Sequence, residues 1–189
     1  MRSSVIDDLL EAIDRYNESD PAQRGGQPVA KLHGQRGSFW LGQLTGRPGA
    51  ALTLSARAHH VGRFEVPRSS FAAGRVGYHQ WKSAAREYCA GVLGELGDAC
   101  SVDVDVLSEA CELVRKTSTD KDSAQVHQDV CSLVFFEVDA AELSQRLTAA
   151  QVERAVRSTL AAMSDSARVF LDSELIPTEV RTLVDTVSS

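Results

Sequence analysis

The sequence predicts an α+β fold in which helices dominate, and three observations support this. Outside residues 21–77, apolar residues recur every three or four positions, the spacing of helices with one buried face. Residues 21–77 hold ten of the thirteen glycines and four of the five prolines, which favours turns and short strands. Hydrophobic residues make up 43% of the chain, enough for a core. We therefore expect a single domain over 1–189.

Within that domain, three parts are expected: an N-terminal helix in 1–20, a basic Gly/Pro-rich β segment in 21–77 and an acidic helical part in 78–189. The first helix is predicted over residues 4–17. Ser4 can cap it, since Asp7 follows three residues later and acidic residues are enriched in the first turn.

A short antiparallel β-meander is predicted at about 38–66. Its strands are 38–45, 50–57 and 61–66, and a Gly- and Pro-containing hairpin loop joins the first two. In the second strand, apolar and polar residues alternate, as they do on a strand with one buried face. The polar face of this sheet would include Arg57 and Arg63.

Several helices are predicted for the rest of the chain. The clearest covers 78–96, where apolar residues recur at helical spacing. Thr148 and Gln151 form a capping box at the start of a later helix, and Pro177 suits the first turn of a last one. Two segments are open between helix and strand: 101–106 alternates like a strand, and 130–138 fits either, although its length favours helix.

The chain is expected to be cytoplasmic, with no membrane partner. No apolar run approaches the length of a membrane span, and acidic residues occupy the position where a signal peptide needs apolar ones. The four cysteines form no C-x-x-C pair and are expected to be buried thiols. They are Cys89, Cys100, Cys111 and Cys131.

The net charge of −6 conceals a strong asymmetry along the chain. Residues 21–86 hold ten Lys or Arg and one acid, Glu65, whereas residues 87–189 hold eight Lys or Arg and nineteen acids. Eight of the ten basic residues are arginine, which suits bidentate contact with phosphate or carboxylate. The same statistics would arise if the basic segment packed against acidic parts of its own chain.

The leading functional hypothesis is a non-enzymatic accessory or regulatory protein that binds nucleic acid or another polyanion. Contacts would be made mainly to phosphates, so binding would be tolerant of sequence and sensitive to salt. Trp40, or its neighbour Phe39, is a candidate platform on which a base could stack. The expected phosphate contacts are Arg57, Arg63, Arg68, Arg75, Lys82 and Arg86.

An enzyme is the less favoured interpretation, because none of the common phosphate-binding, zinc-protease or nucleophile motifs occurs. No cofactor and no metal ligand is expected. Asp103 and Asp105 are interpreted as a solvated acidic helix start. His59 and His60 could bind metal or phosphate, but neighbours on a strand point to opposite faces, so a loop position with no special role is favoured.

Two further hypotheses are retained. The basic and acidic parts could be complementary surfaces of a structural or adaptor subunit, which would assemble with its own copies or with a protein partner. A metal-dependent hydrolase with an unrecognised site is the third hypothesis, and a carboxylate cluster with histidine in a cleft would favour it.

Overall fold

A computed structural model describes residues 4–188, and the chain in it is mostly helical. It divides into two compact units, one ending at Ala124 and the other beginning at Gln125. The expectation of a single domain stays a prediction. Among the described residues, no helix combines the length and the apolar character that crossing a membrane requires.

The described part of the first unit contains five α-helices before residue 120, a two-stranded sheet and short 3-10 turns. In chain order, its elements are α1 Val5–Asn17, β1 Gln23–Arg24, β2 Gln27–Pro28, α2 Val29–Leu44, α3 Ala50–Ala58, 3-10 turns Arg63–Glu65 and Arg68–Ser70, α4 Gly74–Ala99 and α5 Val104–Arg115. The strands pair antiparallel, with Gln23 opposite Pro28.

The core of this unit lies between α1, α3, α4 and α5. Leu9 and Ile13 enter it from α1, Leu54 from α3 and Leu93 from α4, and all four side chains are fully buried. Burying each such side chain contributes about 1.5–3 kcal/mol. The predicted N-terminal helix is confirmed, since Asp7 and Ser4 form a reciprocal capping box at its start.

The predicted β-meander at 38–66 is wrong. The described residues of this segment form the end of α2, then α3, then a 3-10 turn, and none of them is in a strand. In α3 the buried positions include 51, 54, 55 and 58, which is helical spacing, so the alternation at 52–57 was coincidental. The only sheet within 4–188 is the pair of two-residue strands at 23–28.

The glycines in α2 favoured the wrong strand prediction, because in the structure they allow this helix to pack closely against α3. A Cβ atom on Gly34 would lie 2.6 Å from the carbonyl oxygen of Arg57, and one on Gly37 would overlap the carbonyl oxygen of Ala56. These glycines, three residues apart, therefore let α2 and α3 approach backbone to backbone. A glycine-rich segment is here a helix interface and not a series of turns.

The second unit is built from shorter helices. Its elements are α6 Lys121–Val134, whose first four residues belong to the first unit, a π-helical turn Phe135–Asp139, α7 Ala140–Arg146, α8 Ala149–Ala161, α9 Asp165–Arg168, a 3-10 turn Val169–Asp172 and α10 Thr178–Ser188. The capping box of Thr148 with Gln151 is confirmed, and so is a last helix after Pro177.

Neither of the two open segments forms a strand: 130–138 is helical throughout, and 101–106 is a short turn followed by the start of a helix. Residues 130–138 continue α6 through the π-helical turn. In 101–106 the helix α5 begins at Val104, because the Asp103 carboxylate caps it by accepting from the backbone N–H groups of Asp105 and Val106 at 3.1 Å.

A buried carboxylate organises the second unit. Asp129 is 3% exposed and accepts hydrogen bonds from the backbone N–H and the hydroxyl of Ser164, at 2.9 and 2.6 Å. Gln125 donates to the same carboxylate and to the Ala162 carbonyl, both at 3.0 Å. Asp129 thus fixes the start of α9 against α6, which explains how a buried acid is tolerated.

Candidate metal centre and neighbouring basic residues

Three of the five histidines of the chain meet in the first unit. His33 lies in α2, His59 caps the C-terminus of α3, and His60 follows it directly. The rings of His33 and His60 stack with their centroids 4.1 Å apart, and those of His59 and His60 are 4.6 Å apart. One ring nitrogen from each residue can be chosen so that all lie within 4.8 Å of one another.

Two local features bring these rings together. Gly34 and Gly37 allow the close approach of α2 to α3, and a Cβ on Gly37 would lie 3.1 Å from Cε1 of His59. The chain then turns directly after α3, with Gly62 in the left-handed region at φ 64°. Because His59 and His60 lie in this turn and not on a strand, adjacent rings can serve one site.

The tautomer of His59 follows from its backbone contact. Its Nδ1 lies 2.9 Å from the carbonyl oxygen of Ala56, which can only accept, so Nδ1 carries the proton and donates it. In the neutral form of this ring, Nε2 is the nitrogen that carries the lone pair. Histidines that bind metal commonly donate their other ring nitrogen in this way, which fixes the ring orientation.

The charge state of His60 is also suited to ligation. Burial holds its pKa well below 6.5, and electrostatic interactions with His33, Arg63, His59 and Lys82 lower the pKa further. The imidazole of His60 is therefore neutral at neutral pH. A neutral imidazole has the lone pair that a metal ion needs.

Such a set of three histidines resembles the ligand set of sites that bind zinc and related ions. Zinc accepts three protein nitrogens and keeps a fourth position for water or another ligand. No carboxylate or thiolate joins the three rings, since the possible metal-binding cluster found within residues 4–188 consists of histidines alone. The arrangement can therefore bind a divalent ion, and the same rings can also pack without one.

Two of the sequence-predicted basic residues lie beside this cluster. The positive charges of Arg63 and Lys82 both lower the pKa of His60, so they lie within electrostatic range of it. The guanidinium of Arg63 lies 4.5 Å above the ring of Trp81, whose Nε1–H donates to the Val66 carbonyl at 2.8 Å. Trp81 therefore holds Arg63 through a cation–π contact.

Arg57 and Arg68 contribute to the fold itself. Nε of Arg57 is 3.0 Å from a carboxylate oxygen of Asp14, and both side chains are less than one-fifth exposed. The guanidinium of Arg68 donates to the carbonyls of Phe71 and Ala72 at 3.0 and 2.9 Å. Both arginines are therefore engaged by this chain's own groups.

Arg75, Lys82 and Arg86 lie on α4. They recur at intervals of seven and four residues, which places them on one face of the helix. Arg75 is exposed, while Lys82 and Arg86 are half-buried. The exposed His79 lies on the same face. No acidic residue occurs between Glu65 and Glu87.

Trp40 does not offer a stacking surface. Its side chain is fully buried, and its ring meets the edge of Phe39 at 5.2 Å between centroids. The half-buried Phe39 is itself covered by the guanidinium of Arg36, 4.0 Å from the ring centroid. A base cannot stack on Trp40 without opening the core, so Trp40 is not retained as a contact.

His33 is the residue that sequence reasoning missed. It lies 26 residues before His59 and in no recognised metal-binding spacing. The available signal was the order His33-Gly34-x-x-Gly37 in a helix, followed by a histidine pair at the end of the next helix. Small residues three apart indicate close helix packing, and that packing brings the three rings together.

Comparison with known families gives one match. The model of the DUF4202 family, described as a domain of unknown function, matches residues 7–184. The match covers nearly the whole chain, including all of the histidines and basic residues above. Comparison with curated proteins finds no match, and neither does comparison with solved structures.

Proposed function

The chain belongs to the DUF4202 family, and because the function of that family is unknown, we propose one from the residues themselves. We propose that this protein binds nucleic acid or another phosphate-bearing polyanion, as an accessory or regulatory protein. The observation that carries the proposal is the basic face of α4, defined as Arg75, Lys82 and Arg86, with Arg63 beside it.

The dimensions of this face suit a phosphate backbone. From Arg75 to Arg86 is eleven residues, or about 16 Å at 1.5 Å per residue. Each strand of a duplex carries one phosphate per about 3.4 Å of helix axis, so several phosphates come within reach of that length. An α-helix also fits the major groove of a duplex.

The chemistry of the face predicts which kind of binding to expect. Arginine and lysine contact phosphate without reading bases, so we expect affinity for many sequences. Trp40 is buried, and Arg57 and Arg68 hold the fold, so stacking and those two cations are left out of the interface. Binding should therefore weaken as salt rises, with a slope of log affinity against log salt set by the few phosphates that this face contacts.

The test is fluorescence anisotropy of labelled single- and double-stranded DNA and RNA, from about 50 to 200 mM salt. The variant combines Arg75→Ala, Lys82→Ala and Arg86→Ala. We expect weaker binding at every sequence. The slope of log affinity against log salt should become shallower by about 0.7 to 0.9 for each phosphate that the variant no longer neutralises.

The matched control removes the same charge elsewhere. Arg146→Ala, Arg154→Ala and Arg157→Ala together take three exposed cations from the second unit. Binding by this control should match the original chain. No binding at low salt, or an equal fall in affinity in both triple variants, would contradict the proposal.

A second candidate function is that of a structural or adaptor subunit. The observation in its favour is charge: the second unit carries five Lys or Arg and ten Asp or Glu, whereas residues 21–86 are strongly basic. Unlike patches on copies of one chain can join head to tail. Its test is the mass in solution by light scattering. Assembly through these charges predicts a mass that falls towards the monomer as salt rises, and a constant mass would reject it.

A further inference from the structure

We propose that His33, His59 and His60 bind one divalent first-row transition ion of the zinc class and leave a coordination position for an anionic ligand. The inference concerns the interior of the first unit and does not depend on polyanion binding by α4. It rests on three ring nitrogens that lie within 4.8 Å of one another.

The spacing is close to what an ion requires. On a tetrahedral zinc with nitrogens at about 2.0–2.1 Å, neighbouring nitrogens are about 3.3 Å apart. The three nitrogens lie within 4.8 Å of one another, so their separations exceed that value by at most about 1.5 Å. Binding an ion requires the stacked rings of His33 and His60 to turn out of their parallel arrangement, because the lone pair of an imidazole nitrogen lies in the ring plane. The half-buried His60 is the least enclosed of the three rings and is the one expected to turn.

The donor atoms are prepared for ligation. His33 is 2% exposed and His59 is 7% exposed, so two of the three rings are held by packing. The Ala56 carbonyl accepts from Nδ1 of His59 and leaves Nε2 as its donor atom. Neutral imidazole nitrogens suit zinc, cobalt, nickel and copper ions better than magnesium or calcium, which prefer oxygen.

The surrounding charge indicates what completes the coordination. Histidine binds a metal ion as a neutral group, so three such ligands leave the full double charge of the ion uncompensated. Arg63, whose guanidinium lies over the Trp81 ring, and Lys82 are within electrostatic range of His60 and add further positive charge. A poorly solvated site with that much positive charge is stable only when an anion enters it, so we expect an oxyanion such as phosphate on the open position.

A cluster that only packs makes the opposite prediction. Stacked neutral imidazoles can fill space and bond to backbone carbonyls without any ion. Such a cluster would bind no transition metal tightly at neutral pH, and adding metal would leave its ring signals unchanged. Metal binding by the purified full chain therefore separates the two possibilities.

The first experiment measures bound zinc by mass spectrometry after equilibrium dialysis of the chelator-treated chain. We expect one zinc per chain, and an affinity at least about 100-fold lower in His33→Gln, His59→Gln and His60→Gln. The chain offers two matched controls. His79→Gln removes an exposed histidine, and His127→Gln removes the ring whose Nε2 lies 3.9 Å from Cys131 Sγ. Both controls should keep one zinc.

A second measurement needs no variant, in case a substitution unfolds the chain. Zinc added to the unaltered protein should shift the ring nitrogen resonances of three of its five histidines. Cobalt in place of zinc should give visible absorption bands, and inorganic phosphate should change those bands by entering the open position.

The overturning outcomes are distinct. Less than one bound zinc, unshifted rings, or absence of zinc from the His127→Gln control would reject the histidine site. Cobalt bands that phosphate leaves unchanged would reject the anionic ligand. If the α4 variant binds polyanions as tightly as the original chain, the proposed function is contradicted and the histidine site is unaffected.

Discussion

Single glycine residues in α2 determine how near α2 lies to α3. Gly34 and Gly37 face the backbone carbonyls of Arg57 and Ala56, where no side chain fits. Gly42 lies in the same helix but faces open space. The helix therefore contains a matched pair for separating the role of glycine in packing from its effect on helix propensity.

We predict that Gly37→Ala destabilises the first unit by about 1–3 kcal/mol or more, because the added methyl group must push the two helices apart. Gly42→Ala should stabilise it by about 0.5–1 kcal/mol, because alanine favours a helix interior. Urea unfolding followed by tryptophan fluorescence is the measurement, since both tryptophans lie in this unit. Equal effects of the two substitutions would contradict the packing argument.

Cys89 provides a prediction about pH. Burial raises the pKa of its thiol from 9.0 to about 12. The folded state therefore retains the proton where the unfolded thiol ionises. The contribution of Cys89 to stability is complete below pH 9 and is lost as pH rises from 9 towards 12. Cys89→Ala should flatten the decline of the unfolding free energy over that interval.

The same burial should make Cys89 unreactive to thiol reagents at about pH 8, because reaction needs an exposed thiolate. The half-buried Cys100 and Cys131 should be labelled first, and Cys89 only on unfolding. Mass spectrometry of the labelled peptides gives the order in which the cysteines react. Early labelling of Cys89 would mean that its surroundings are open.

At the scale of elements, local sequence patterns correctly predicted the starts of those helices that begin with a capping box. Ser4 with Asp7 and Thr148 with Gln151 were recognised because a capping box is a contact between neighbours in the chain. The helix α4 was recognised because its apolar residues recur at helical spacing, which is also a pattern among neighbours in the chain. The strand predicted at 50–57 is wrong, because a short run of alternating residues fits a strand as well as a helix, and only packing decides between them.

The contribution of the N-terminal cap of α5 to stability can be tested by substitution. Asp103→Ala should cost about 0.5–2 kcal/mol, because two backbone N–H groups lose their acceptor. Asp105→Ala, two residues later and also exposed, changes the charge without removing that cap. Chemical unfolding of both variants is the measurement. A larger destabilisation by Asp105→Ala would contradict the capping role of Asp103.

At the scale of the whole molecule, the third hypothesis of a metal-dependent hydrolase becomes specific. A metal ion at the three histidines with an open position would bind a water molecule and lower its pKa. That hypothesis predicts hydrolysis of an activated phosphodiester by the zinc- or cobalt-loaded chain, faster than by the free ion, with water as the nucleophile. His33→Gln should abolish it and His79→Gln should retain it. Zinc binding without hydrolysis would contradict the hydrolase hypothesis and retain only the metal-binding proposal.

The sequence by itself determined the helical character, the caps of α1 and α8 and the separation of basic from acidic segments. These depend on residues near one another in the chain. The tertiary structure decided what lies far apart in sequence: α2 against α3, His33 beside His59 and His60, Arg57 on Asp14 and the burial of Trp40. The physical reason is that glycine, histidine and arginine have little fixed preference of their own. Their roles depend on the groups that folding brings beside them.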